Sequence, residues 1–171
     1  MKDAERSEKR GKKHRLMPIR ILTITKKQKI MRNIDRIFIH CTASGRKTTV
    51  DQLKAEFKAR GWKAPGYHYV VMPDGSVEQM LGEDKVSNGV RGYNLGAINI
   101  AYVGGIDGKG RATDNRTIEQ KAAIVHLLLE LRRRYPKARI MGHRDIWGAD
   151  NPRAWKKACP CFNATREYEA I

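Results

Sequence analysis

Short β-branched and aromatic runs alternating with stretches of helical periodicity constrain this chain more than any other feature. IDRIFIHC (34–41) and AINIAYVGG (97–105) have the nearly continuous apolar content of buried strands, and ARIMGH (138–143) is a third, shorter one. GYHYVVMPDGSVEQML (66–81) reads as two strands around the turn Pro73-Asp74-Gly75-Ser76, a hairpin. Between these runs, TTVDQLKAEFKARG (48–61) places Val50, Leu53 and Phe57 on one helical face, with Thr49 as N-cap and Gly61 just past the end. TIEQ (117–120) has capping-box spacing ahead of a helix rich in Ala, Ile, Val and Leu, and Arg132, Arg133 and Arg134 suit the C-terminus of that helix. The segment from Asn163 onward predicts a terminal helix, and GKG at 108–110 a turn. Strands and helices alternate with one hairpin, which predicts an α/β (α+β) fold: a central mixed β-sheet flanked by α-helices, in one domain.

A length of 171 residues with 40% hydrophobic content supports one such core. The charge is less evenly spread. Of a net +17, nine charges fall in residues 1–32, where twelve Lys and Arg face only Asp3, Glu5 and Glu8. We read 1–32 as a basic, flexible N-terminal extension and 33–171 as the folded domain. Such an extension suits an anionic envelope polymer or a nucleic acid, although it holds no aromatic residue on which bases could stack. Met17 and Met31 within it are alternative starts. The opening charges precede no apolar h-region, and no apolar run approaches the roughly 20 residues of a membrane span, so the expectation is cytoplasmic synthesis without a signal peptide. A monomer is expected. Three cysteines, with a close pair at Cys159 and Cys161, fit metal or thiol chemistry better than a disulfide framework.

His40 and His143 each end a predicted strand at the start of a loop, and the carboxyl edge of a sheet is where sites are commonly built. Cys159 follows Lys156 and Lys157, cations that favour a thiolate. Two histidines and one cysteine make a catalytic zinc set, because three protein ligands leave the fourth tetrahedral position open. A closed four-ligand site that adds Cys161, or a Cys159–Cys161 redox pair, are the alternatives. Cys41, adjacent to His40 in a strand, points to the opposite face and reads as a small buried thiol. His68 and His126 read as structural. The chain has neither a Gly-rich phosphate loop nor an H-E-x-x-H pair.

Five segments occur in order: IFIHCTAS, GWKAPGYHYVVMPDGSVE, RGYNLGAINIAYVGGIDGKG, MGHRD and KACPCF. Together they span roughly 34–165, and in them the chain resembles the type-2 N-acetylmuramoyl-L-alanine amidases, which include amidase-type phage lysozymes and are related to peptidoglycan recognition proteins. The resemblance implies a zinc-dependent amidase that cuts the bond between the lactyl group of N-acetylmuramic acid and L-alanine in bacterial peptidoglycan. It implies one Zn2+ per chain held by His40, His143 and Cys159, with Tyr67 assisting at the attacking water and Lys157 stabilising the oxyanion. Asn94 of RGYN is carried over as a substrate contact; Asp145 is a candidate oxygen partner for a ligating histidine, because metal histidines usually donate their other nitrogen to an oxygen. Two departures fall near the expected cleft: Ser87-Asn88-Gly89 replaces a loop that carries a histidine in many relatives, and Asn99 stands where the family has a small glycine.

Three readings follow. The first is the amidase, acting on the wall after release or export by another system, with a phage or prophage origin. The second is a non-catalytic peptidoglycan-binding module of the same fold, against which Cys159 argues, since such relatives typically lack that cysteine. The third, a basic nucleic-acid- or polymerase-binding protein, rests on the charge and on the resemblance, since some amidase-type phage lysozymes also bind a viral polymerase.

Overall fold

The computed structural model describes residues 32–171, so the basic extension lies outside the described residues except for Arg32. Five strands form one mixed sheet: β1 (Arg36–Cys41), β2 (Tyr69–Val71), β3 (Val77–Gln79), β4 (Ala97–Tyr102) and β5 (Arg139–Gly142). Their order across the sheet is β3-β2-β4-β1-β5. β1 runs parallel to both β4 and β5, and β2 parallel to β4, while β3 returns antiparallel as the hairpin edge. The hairpin strands are three residues each, shorter than the 66–81 run suggested. Gly75, at φ +84, closes their turn, and Asp74 Oδ1 accepts the Ser76 N–H at 3.0 Å.

Strand alternation divides the sheet into two unlike faces. Ile37, Ile39 and Cys41 of β1 and Ile98, Ile100 and Tyr102 of β4 enter one large apolar cluster with Ile124, Leu128 and Leu131 of α2 (Ile118–Arg134). The opposite face is covered by α1 (Val50–Ala59), whose Leu53 and Phe57 pack with Val70 and Val103. Both helices start as their sequences dictate. Thr49 and Thr117 each accept the backbone N–H of the residue three positions on, and Gln52 and Gln120 close both capping boxes. The expected terminal helix is a single turn, α3 (Ala164–Glu167). At the hairpin edge, the buried Glu83 carboxylate accepts from the Tyr69 and Tyr135 hydroxyls and from Arg134 at 2.8 Å, which ties the edge to the end of α2. Arg32 donates to the Lys85 and Ala97 carbonyls, so its side chain belongs to the folded unit although the charge pattern assigns it to the extension.

Because β1 and β5 are parallel neighbours, their carboxyl ends share one edge. His40 lies near the end of β1, and His143 follows β5 directly, at the start of a 3-10 turn (His143–Trp147). Residues separated by about a hundred positions therefore meet at the sheet edge through strand pairing alone.

Candidate metal centre and cleft

Along β1, the alternation that sends Cys41 into the α2 core sends His40 to the α1 side. Its Nδ1 lies 3.2 Å from His143 Nδ1 and 3.8 Å from Cys159 Sγ. One donor atom from each of the three residues falls within 4.8 Å of the others, the one such group of His, Cys, Asp and Glu among the described residues. Imidazole nitrogens and a thiolate held at about 2.0–2.3 Å by a tetrahedral ion stand roughly 3.3–3.6 Å apart, and the two distances at His40 Nδ1 lie close to that range.

The state of the donors fits as well. Burial pushes the His40 pKa down to about 4 and that of His143 to about 3, and the nearby Lys157 ammonium acts in the same direction on both. Each ring is thus neutral at physiological pH, as ligation requires. The Cys159 sulfur accepts the Cys41 N–H at 3.3 Å. Cys161 stays out of the group: its sulfur lies 3.8 Å from Cys41 Sγ and 3.3 Å from the Gly105 carbonyl oxygen. No fourth His, Cys, Asp or Glu joins the three among the described residues, the donor count of an open rather than a closed site. Cys41 is buried in the apolar cluster with its thiol pushed up to about 12, by Cys159 foremost, and is inert there.

The three donors open into a cleft of about 380 Å³ whose wall also includes Tyr67, Lys157, Phe57 and Trp62. Phe57 and Trp62 stack at 5.4 Å, and Arg60 lies 5.5 Å from the Trp62 ring centre, which gives the cleft an aromatic and cationic wall. Tyr67 packs its ring 5.3 Å from that of His40. Burial, reinforced by Cys159 and Cys41, raises its pKa, so the phenol stays protonated and acts as a donor.

Three other residues fall where the sequence did not put them. Asn94 is not on the cleft wall; its Oδ1 accepts the Val90 N–H at 2.7 Å. Asp145 makes no hydrogen bond to either histidine: its Oδ2 accepts from Gly142 N at 2.6 Å and Thr165 Oγ1 at 2.7 Å, pinning the turn that carries His143. Asn99, expected near substrate, is fully buried beneath His40, and its Oδ1 lies 2.8 Å from His40 Nε2. Its mark in the sequence is a lone amide within an apolar strand, in step with the His40 side of the sheet. His68, read as structural, is fully buried, with Nδ1 accepting the Asn99 N–H and Nε2 at 3.0 Å from the Lys85 carbonyl.

Fold and site define an α/β protein with an open two-histidine, one-cysteine centre at the carboxyl edge of a mixed sheet. Residues 30–162 match the family described as N-acetylmuramoyl-L-alanine amidase. The chain is 38% identical to the endolysin of Enterobacteria phage K11 over 77% of its own length and 83% of the relative's. It is 34% identical to the endolysin of Escherichia phage T7, over 79% and 85% respectively. Among solved structures, the Ph2119 endolysin of a Thermus scotoductus bacteriophage superposes with a TM-score of 0.59 at 29% identity, over 74% of this chain and 77% of that one. Drosophila PGRP-LB shares the fold, with a TM-score of 0.63 at 16% identity over 82% of each chain. The chain belongs to the N-acetylmuramoyl-L-alanine amidase family.

Proposed function

We propose that residues 33–171 form a zinc-dependent amidase domain that hydrolyses the lactyl amide between N-acetylmuramic acid and L-alanine in peptidoglycan, as an endolysin. The observation that carries this reading is the convergence of His40, His143 and Cys159 on one point of the cleft in a chain of this family.

Each chain would hold one zinc ion through His40 Nδ1, His143 Nδ1 and Cys159 Sγ. Bound there, zinc would polarise the amide carbonyl and acidify a water. The chain's own groups do the rest. Tyr67, protonated and packed beside His40, holds the attacking water by its hydroxyl. Lys157, on the same cleft wall, takes up the negative charge that develops on the carbonyl oxygen as water adds. The C–N bond then breaks: the water oxygen stays on the lactyl carbon as a carboxylate, and the amine of L-alanine leaves with the proton that the water gave up. A substrate contact by Asn94 rests on the sequence resemblance alone, since its side-chain oxygen is committed to Val90. The enzyme would work as a monomer on the wall once released from the cell, and the extension would add affinity for anionic polymers.

Elemental mass spectrometry combined with digestion of purified peptidoglycan tests the reading. Wild type should carry about one zinc per chain and release new L-alanine amino termini. Cys159→Ala should lose both, and a metal-free wild type that leaves peptidoglycan intact would overturn the assignment.

A further inference from the structure

Resting on the zinc reading above, we propose that Asn99 is a positioning residue that fixes the tautomer of His40, so that its Nδ1 lone pair faces the metal centre. A chain of hydrogen bonds, its polarity set at one end, fixes this orientation. A backbone N–H can only donate, so the Val90 N–H at 2.7 Å makes Asn94 Oδ1 an acceptor. Asn99 Nδ2 lies 3.5 Å from that same oxygen and 2.8 Å from Ser87 Oγ, so the amide nitrogen of Asn99 is turned toward these two groups. Its carbonyl oxygen is thereby turned toward His40, 2.8 Å from Nε2. A carbonyl accepts and never donates, so Nε2 must carry the proton and Nδ1 must keep the lone pair. Nδ1 is the nitrogen that faces His143 and Cys159.

The centre of the network is buried: His40, Asn99 and Ser87 are 2% exposed or less, so leaving one of their bonds unmade would be costly. Space is as tightly fixed as polarity: a Cβ added at Gly89 would stand 2.3 Å from Asn99 Oδ1. Gly89 is therefore the residue that lets the amide sit where it does. Ser87, Gly89 and Asn99, three positions scattered over a loop and a strand, act as one device beneath the metal centre.

Nitrogen-15 NMR of the metal-free protein above neutral pH reads the tautomer without any variant or metal. The proton should sit on Nε2 of His40; a proton on Nδ1 overturns the proposal. Zinc affinity, measured by competition with a chelator, provides the second readout. Asn99→Leu should weaken zinc binding about 10- to 100-fold and give a mixed His40 tautomer, the scale usual for lost outer partners of metal ligands. Gly89→Ala, which keeps Asn99 but displaces its amide, should weaken binding in the same direction. Asn99→Asp, which restores an acceptor, should recover most of the loss. Wild-type zinc affinity in folded Asn99→Leu and Gly89→Ala proteins would overturn the proposal. Failure of wild type to bind zinc would instead sink the metal reading, and the tautomer measurement would still decide the role of Asn99.

Discussion

The two faces of this sheet are built from the same strands and do opposite things. On the α2 side, Ile37, Ile39, Ile98, Ile100 and Tyr102 meet Ile124, Leu128 and Leu131 in a core whose cohesion needs only shape and apolar area. On the α1 side, the alternate positions of the same strands carry His40 and Asn99, both buried and both tied by directed hydrogen bonds. One face stabilises the protein, and the other aims lone pairs. That division predicts which substitutions will disturb folding and which will disturb the site.

The largest separation should come from Leu128→Ala, a fully buried position on the apolar side. It should cost about 2–5 kcal/mol in urea unfolding while zinc affinity stays at the wild-type value. A comparable loss of zinc binding would show that the faces are coupled. Lys157→Ala makes the reverse test: about 10²–10³-fold lower kcat, as when an oxyanion donor is removed, with zinc content and melting temperature unchanged. Retained kcat would remove Lys157 from the mechanism.

pH sharpens the contrast through His68. Burial pushes its pKa down to about 4 from an ordinary 6.5, so it is neutral in the fold and bonded to Lys85 and Asn99. Between those values the unfolded chain binds the proton that the folded one refuses. The His68 contribution is thus complete above pH 6.5 and lost as pH falls through about 4, on the order of 3 kcal/mol. His40 and His143, held low in the same way, add to the same acid limb, so replacing His68 with Gln should make it shallower by the His68 share only; an unchanged limb would show that His68 contributes nothing to it. The smallest effects belong to the helix caps, where Thr49→Ala and Thr117→Ala should each cost about 1 kcal/mol. Thr117 should cost the more of the two, because its hydroxyl also donates to the Pro73 carbonyl at 2.8 Å.

Much of this was written in the sequence in a form that local physics can decode. Short apolar, β-branched runs, the Thr49 cap, the TIEQ capping box and the Asp-Gly turn specify the strands, helices and hairpin, because each depends on residues a few positions apart. The opposed orientations of His40 and Cys41 follow from strand geometry alone. That His40, His143 and Cys159 belong together came from their order among five matching segments, and the distances among them belong to the parallel pairing of β1 with β5 and to the loop that returns Cys159. Only the tertiary structure decided the partners of the polar residues. Asn99 reaches beneath His40 instead of facing substrate, Asp145 braces a turn, and Asn94 bonds to the Val90 amide. The reason is physical: an apolar side chain is satisfied by any close-packed neighbour, whereas a buried amide or carboxylate needs particular donors and acceptors, and which ones it meets is settled when distant segments pack.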